Sequence, residues 1–262
     1  MNTAFFPVSQ RGVRWFACAG LALFLALGLA LALPQAGFAA EAKAPTAEAP
    51  AADAYAKDAD EAQAGETKVP LFGTVEIRRP LKTLPAWLSV LERNAVNSIF
   101  EPGSRLNTST TWEELKAKAK GLSKLDQVKL VNSFWNRWPY REDREVYGKP
   151  DYWAIPSEFR KNSGDCEDYS IAKYFTLRAL GFPIDQLRIV VVMETIRNIA
   201  HAVLVVYLDG EAYVLDNLST NVLPHSRLRN YVPQYSVNEE YRWAHMRPKK
   251  KAAAKKAPAK KK

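Results

Sequence analysis

The feature that most constrains this chain is a helix with almost no polar side. Past its opening acids, the segment Glu167 to Leu180 is apolar except at Ser170, Lys173, Thr176 and Arg178, so most of its circumference must be covered by other elements. The pattern predicts a central, largely buried helix. Asp165 stands at the N-cap position, Gly181 at the C-terminal stop, and Pro183 bars continuation. Cys166 therefore falls on the first turn, where unpaired backbone N–H groups and the positive end of the helix dipole favour the thiolate, the form that attacks carbon. A lone buried cysteine is most often just a small hydrophobe, so this reading depends on what the fold brings to it.

The remaining cysteine, Cys18, lies in a different kind of segment. Arg11 and Arg14 precede an apolar run from Trp15 to Leu33, followed by small residues around Pro34 to Ala42. That layout is a secretory signal peptide over residues 1–40, and it makes the expected location periplasmic. The run is also long enough to stay as an N-terminal anchor. Residues 41–68 are rich in Ala, Glu, Asp and Pro without sustained apolar periodicity and read as a disordered tether. Residues 249–262 hold eight lysines among Ala and Pro, so the formal charge of +9 falls to +1 once they are set aside. The basic character thus belongs to the tail. In an exported protein such a tail would meet anionic membrane or acidic cell-wall polymers rather than nucleic acid, or simply be solvated.

Residues 69–248 form the expected folded domain. Helices are predicted over Leu81 to Ile99, Trp112 to Lys120 and Leu125 to Trp138, broken by Pro102, Gly103 and Gly121, with Thr111 before Glu113 and Glu114 as a cap. A crowd of aromatic residues follows, from Phe134 to Trp153, and packing explains it better than a stacking platform does. After the central helix come three strand-like runs, Leu187 to Glu194, His201 to Leu208 and Glu211 to Leu218, the last two separated by the hairpin signal Asp209-Gly210. Helices first and antiparallel strands afterwards give an α+β domain, with the nucleophile helix packed on the sheet.

A two-residue turn at Asp209-Gly210 sets Leu208 opposite Glu211, and counting back sets Val203 opposite Asp216 and His201 opposite Leu218. His201 and Asp216 then share a face as diagonal neighbours, within reach of each other. Neither belongs in a buried strand without a partner, and each can serve the other. With Cys166 this makes a nucleophile, base and orienter set: Cys166, His201 and Asp216. The Cys166 N–H could supply half of an oxyanion hole, with Asn136 or Trp153 as candidates for the other half. His225 and His245 fall in predicted loops and are expected at the surface.

At these residues the sequence resembles a known family. The run GDCEDYSIAKYFTLRALG, the later HAVLVVY and VLDNL, and the upstream FWNRWPY and DYWAIPSEF are similar to the bacterial transglutaminase-like cysteine peptidases. The resemblance spans roughly Val69 to Trp243. It implies a papain-like, transglutaminase-like fold and a thiol protease with the triad Cys166, His201 and Asp216. It also implies a substrate, the N-terminal region of a large repeat adhesin cut beside paired alanines, and so a role in biofilm attachment. The implied partner is an inner-membrane receptor that senses cyclic di-GMP.

Asp165, Glu167 and Asp168 crowd the cysteine, and like charges oppose a thiolate. A bound cation would remove the conflict, and calcium, a hard ion taking several carboxylate oxygens, suits an exported protein. The resemblance likewise implies calcium held by acids flanking the cysteine. Asp185 is a further candidate ligand on the residues alone. The alternative is that the three acids only complement the helix dipole. Three rival functions use the same residues differently: a transglutaminase would pass the acyl group to an amine, a cell-wall amidase would cut muropeptides, and a non-catalytic envelope module would have no need of all three triad members.

Overall fold

The computed structural model describes residues 69–248. The expected signal segment, tether and lysine tail lie outside them. Among the described residues no helix is long and apolar enough to cross a membrane.

Among the described residues, six α-helices and seven strands fall in two blocks. The first block runs β1 (Val75–Arg79), α1 (Pro85–Val96), α2 (Trp112–Ala119), α3 (Lys124–Trp135), α4 (Asp143–Val146), α5 (Pro156–Asn162) and α6 (Cys166–Ala179). The second runs β2 (Leu187–Glu194), β3 (Ile199–Leu208), β4 (Glu211–Asp216), β5 (Ser219–Pro224), β6 (Tyr231–Val237) and β7 (Arg242–Met246). The strands form one antiparallel sheet in the order β1-β7-β6-β2-β3-β4-β5. The α+β class expected from the sequence is the one observed.

The central helix is α6. Every residue from Asp168 to Leu177 is buried, and the helix packs on β3 and β2 with α3 and α5 beside it. Its two hydroxyl residues are satisfied within the helix. Ser170 Oγ donates to Cys166 O (2.9 Å), while Thr176 Oγ1 donates to Ala172 O (2.7 Å) and accepts from Trp135 Nε1 (2.8 Å). Lys173 is fully buried, and the loss of water pulls its ammonium pKa down to about 7. Past Ala179, Gly181 takes the left-handed conformation (φ +86°) and Phe182 N–H reaches back to Leu177 O (3.0 Å), the expected stop. Much of the aromatic crowd is packing: Trp135 lies against Trp138 and Phe159, and Trp153 against Trp87, in the core between helices and sheet, whereas Tyr140 is exposed. A second, smaller core on other sheet residues joins Val190, Val203, Val205 and Tyr231 with Leu71.

The expected caps and turns recur with small shifts. Thr111 and Glu114 form a reciprocal capping box on α2. The first predicted helix is split: Leu81–Thr83 is a separate 3₁₀ turn, and α1 begins at Pro85, which cannot donate a helical hydrogen bond and so sits in the first turn. Asp209 (φ +50°) and Gly210 (φ +78°) make the two-residue hairpin turn with both residues left-handed, and Leu208 pairs with Glu211. The third predicted strand ends early. Asn217 and Leu218 form a second tight turn after Asp216, and Asp216 pairs with Ser219 of β5. His201 therefore has no strand partner at Leu218.

Candidate active site

The nucleophile position, the hairpin and the acids meet at the N-terminus of α6. Asp216 closes β4, and its Oδ1 accepts from His201 Nε2 (3.0 Å) and from the backbone N–H of Leu218 (2.9 Å). Both side chains are buried. Since a carboxylate only accepts, Nε2 carries the proton and Nδ1 is the basic nitrogen of the ring. Burial opposes the charge on Asp216, but the bond and charge of His201, with further bonds from Tyr231 and Leu218, outweigh it and hold its pKa below the ordinary value. The diagonal pairing read from the sequence is thus present in space.

Cys166 opens α6, and its sulfur lies against β3, where the Ala202 N–H, next to His201 in the chain, favours the thiolate. Its thiol donates to Glu167 Oε2 (3.2 Å). Burial pushes the thiol pKa up, and the Glu167 and Asp165 carboxylates push it further. The repulsion expected from the sequence is real. It outweighs the Ala202 N–H.

Around the cysteine the structure gathers five carboxylates, two more than the flanking run provides. Ligand oxygens of Asp143, Asp165 and Asp168 lie within 4.8 Å of one another, as do those of Asp143, Asp151 and Glu167. A bridge between Tyr140 and Gly164, with Arg141 N–H donating to Gly164 O (2.9 Å), ties the segment leading into α4 to the start of α6. Asp168 is fully buried. Its Oδ1 accepts from Ala154 N–H (2.7 Å), and its Oδ2 reaches back to Asp165 N–H (3.3 Å). Gly164 makes this possible, because a Cβ there would stand 1.9 Å from Asp168 Oδ2. Asp165 occupies the N-cap position, but its own Oδ1 has no hydrogen-bond partner, and neither has Asp143 Oδ1. Burial is the first cause that raises the pKa values of Asp143, Asp165, Glu167 and Asp168. Buried, unpartnered carboxylate oxygens from several segments are the donor set a hard divalent cation takes.

Four sequence readings change here. Asp185 sits in the 3₁₀ turn Ile184–Gln186, past the far end of α6, and is not brought to the acids. Asn136 is committed elsewhere, since its amide donates to Asp216 O (2.7 Å) and Ser219 O (2.9 Å), and so holds the β4–β5 turn rather than pointing at a reacting carbonyl. His225 and His245 are not surface residues. His225 Nδ1 accepts from Phe72 N–H (2.8 Å), and His245, on β7, is bonded on both ring nitrogens by Thr74 (2.8 Å) and Ser236 (2.9 Å). Asp143 and Asp151 were missed.

The sequence model described as bacterial transglutaminase-like cysteine proteinase BTLCP matches residues 105–251, a span that contains Cys166, His201 and Asp216. The chain belongs to that family. As a bacterial transglutaminase-like cysteine proteinase it is a cysteine peptidase. Among solved structures it is similar to Legionella pneumophila LapG at 40% identity over 51% of this chain and 75% of that one, with a TM-score of 0.46. The calcium-bound form of that LapG aligns with the same identity and coverage at a TM-score of 0.47. The EGTA-treated form aligns at 40% identity over 51% and 73%, with a TM-score of 0.46. A comparison with curated proteins gives no match.

Proposed function

We propose that this cysteine peptidase is a calcium-dependent periplasmic endopeptidase that cleaves the N-terminal region of a large surface adhesin, with Cys166, His201 and Asp216 as its triad. The observation that carries the triad is the His201 Nε2 to Asp216 Oδ1 bond (3.0 Å) beside the strand against which the Cys166 sulfur lies. His201 Nδ1 takes the Cys166 proton, and Sγ attacks the scissile carbonyl carbon. The Cys166 backbone N–H, at the helix start, faces the charge that develops on the carbonyl oxygen. The tetrahedral adduct collapses to a thioester as Nδ1–H protonates the leaving amine. Water, deprotonated by Nδ1, then releases the acid and restores the thiol. Asp216 keeps the imidazole in one tautomer and supports its charged form.

Asp143, Asp151, Asp165, Glu167 and Asp168 would hold calcium, as the calcium-bound form of LapG suggests by similarity. The ion would supply positive charge that offsets the acids opposing the thiolate. Release of the adhesin would detach the cell, under control of a membrane receptor sensing cyclic di-GMP. The test is cleavage of a purified adhesin N-terminal fragment with calcium and with EGTA, with an added amine in a parallel reaction. Two hydrolysis products supports the reading, whereas amine-linked product would make the enzyme a transglutaminase.

A further inference from the structure

The second oxygen of Asp216 has a partner that the triad does not require. Tyr231 Oη donates to Asp216 Oδ2 at 2.5 Å, while Oδ1 is occupied by His201 and Leu218. We propose that Tyr231 is a positioning residue, fixing the plane of the Asp216 carboxylate and through it the orientation of the His201 ring; the inference rests on the triad reading above. A carboxylate bonded through one oxygen can still turn about its broad terminal torsion. A bond to the other oxygen, made from a different strand, stops that rotation.

Tyr231 is itself firmly placed. It opens β6 opposite Glu194, the last residue of β2. The buried Glu194 carboxylate accepts from Ile196 N–H (2.7 Å), Arg197 N–H (3.1 Å), Arg197 Nε (2.7 Å) and Asn230 Nδ2 (2.9 Å), and its pKa is held down to about 2, chiefly by the Asn230 and Arg197 bonds. Thr195 N–H also donates to Asn230 O (2.9 Å). The β2–β3 turn that leads into His201 is therefore fastened to the residue before Tyr231. The Tyr231 ring meets His201 near edge-on, with centroids 5.7 Å apart, and Phe72 lies 6.4 Å away. At 7% exposure the tyrosine covers the His201–Asp216 pair on that side and keeps water from competing for the bond.

Tyr231→Phe keeps the ring and removes the bond. In the full chain, assayed on a fluorogenic peptide spanning two adjacent alanines, kcat should fall about tenfold or more with KM unchanged. The low-field proton resonance of His201 Nε2–H should broaden or move. A residue that only fills core volume would leave that resonance alone. Should Tyr231→Phe fail to fold, 3-fluorotyrosine at position 231 keeps the volume and makes the hydroxyl a stronger donor, and it must shift both the resonance and kcat. A kcat within twofold of the parent and an unmoved resonance overturn the inference. Cys166→Ala separates the failures: if it still cleaves, the triad reading falls, and if it is inert while Tyr231→Phe matches the parent, only the positioning role falls.

Discussion

Gly164→Ala offers a sharp test of how the nucleophile helix is anchored. The added methyl would stand 1.9 Å from Asp168 Oδ2, 2.8 Å from its Cγ and 2.9 Å from its Cβ. Asp168 is fully buried and tied to two backbone N–H groups, so it cannot swing away without losing bonds. Overpacking of this kind costs about 1–3 kcal/mol, and losing one bond to a charged acceptor adds about 1.5–3 kcal/mol. The expected destabilisation is about 2.5–6 kcal/mol, or roughly 5–24 °C in Tm at about 2–4 °C per kcal/mol for a domain of this size. Urea titration and thermal melts followed by circular dichroism would measure it. The same substitution in an Asp168→Ala background should cost at least about 1 kcal/mol less, because the contacts at 1.9 Å with Oδ2 and 2.8 Å with Cγ are removed while only the Cβ contact at 2.9 Å stays. A drop in Tm below about 2 °C, or equal costs in both backgrounds, would refute the close-packing argument.

Other expectations follow from the site and its surroundings. Asn136→Ala should lower kcat about tenfold while leaving the fold intact, since the turn carrying Asp216 loses two side-chain bonds; steady-state kinetics with thermal melts would check this. Calorimetry should find calcium binding weakened by Asp143→Asn and by Asp151→Asn but not by Asp185→Asn, and equal effects of all three would contradict the placement of the acids. His245 should make the domain acid-sensitive. Its burial lowers the pKa from 6.5 to about 4, so the unfolded chain binds the extra proton between those values. Stability should then fall as pH drops through that window, by at most about 3 kcal/mol, and His245→Gln should flatten the denaturation profile there.

What could be read from the sequence was local or set by a short turn. The helix bearing Cys166 declared itself through its apolar run and its Gly181 stop, and the Asp209-Gly210 turn fixed the register that brings His201 to Asp216. The strands that were missed lacked such marks. Pro233 argues against a strand, yet β6 carries it near the sheet centre because the β2–β6 register shifts there, between Val192 opposite Pro233 and Val191 opposite Tyr235. β5 was hidden because its turn, Asn217-Leu218, continues an apolar-looking run. Asp143, Asp151 and Tyr231 reach the site only through tertiary packing, and no spacing in the chain encodes that. His245 looked exposed for the same reason, since its partners Thr74 and Ser236 come from distant segments.

The central claim is that Cys166 attacks a peptide bond with His201 as its base. Acid-quenched mass spectrometry of the full-length protein with an adhesin N-terminal fragment and calcium tests it most directly. The account predicts a fragment held as a thioester on Cys166 at early times, then two products whose summed mass exceeds the substrate by one water, with both signals lost in Cys166→Ala. Cleavage by Cys166→Ala, or products formed with no adduct on Cys166, would contradict it.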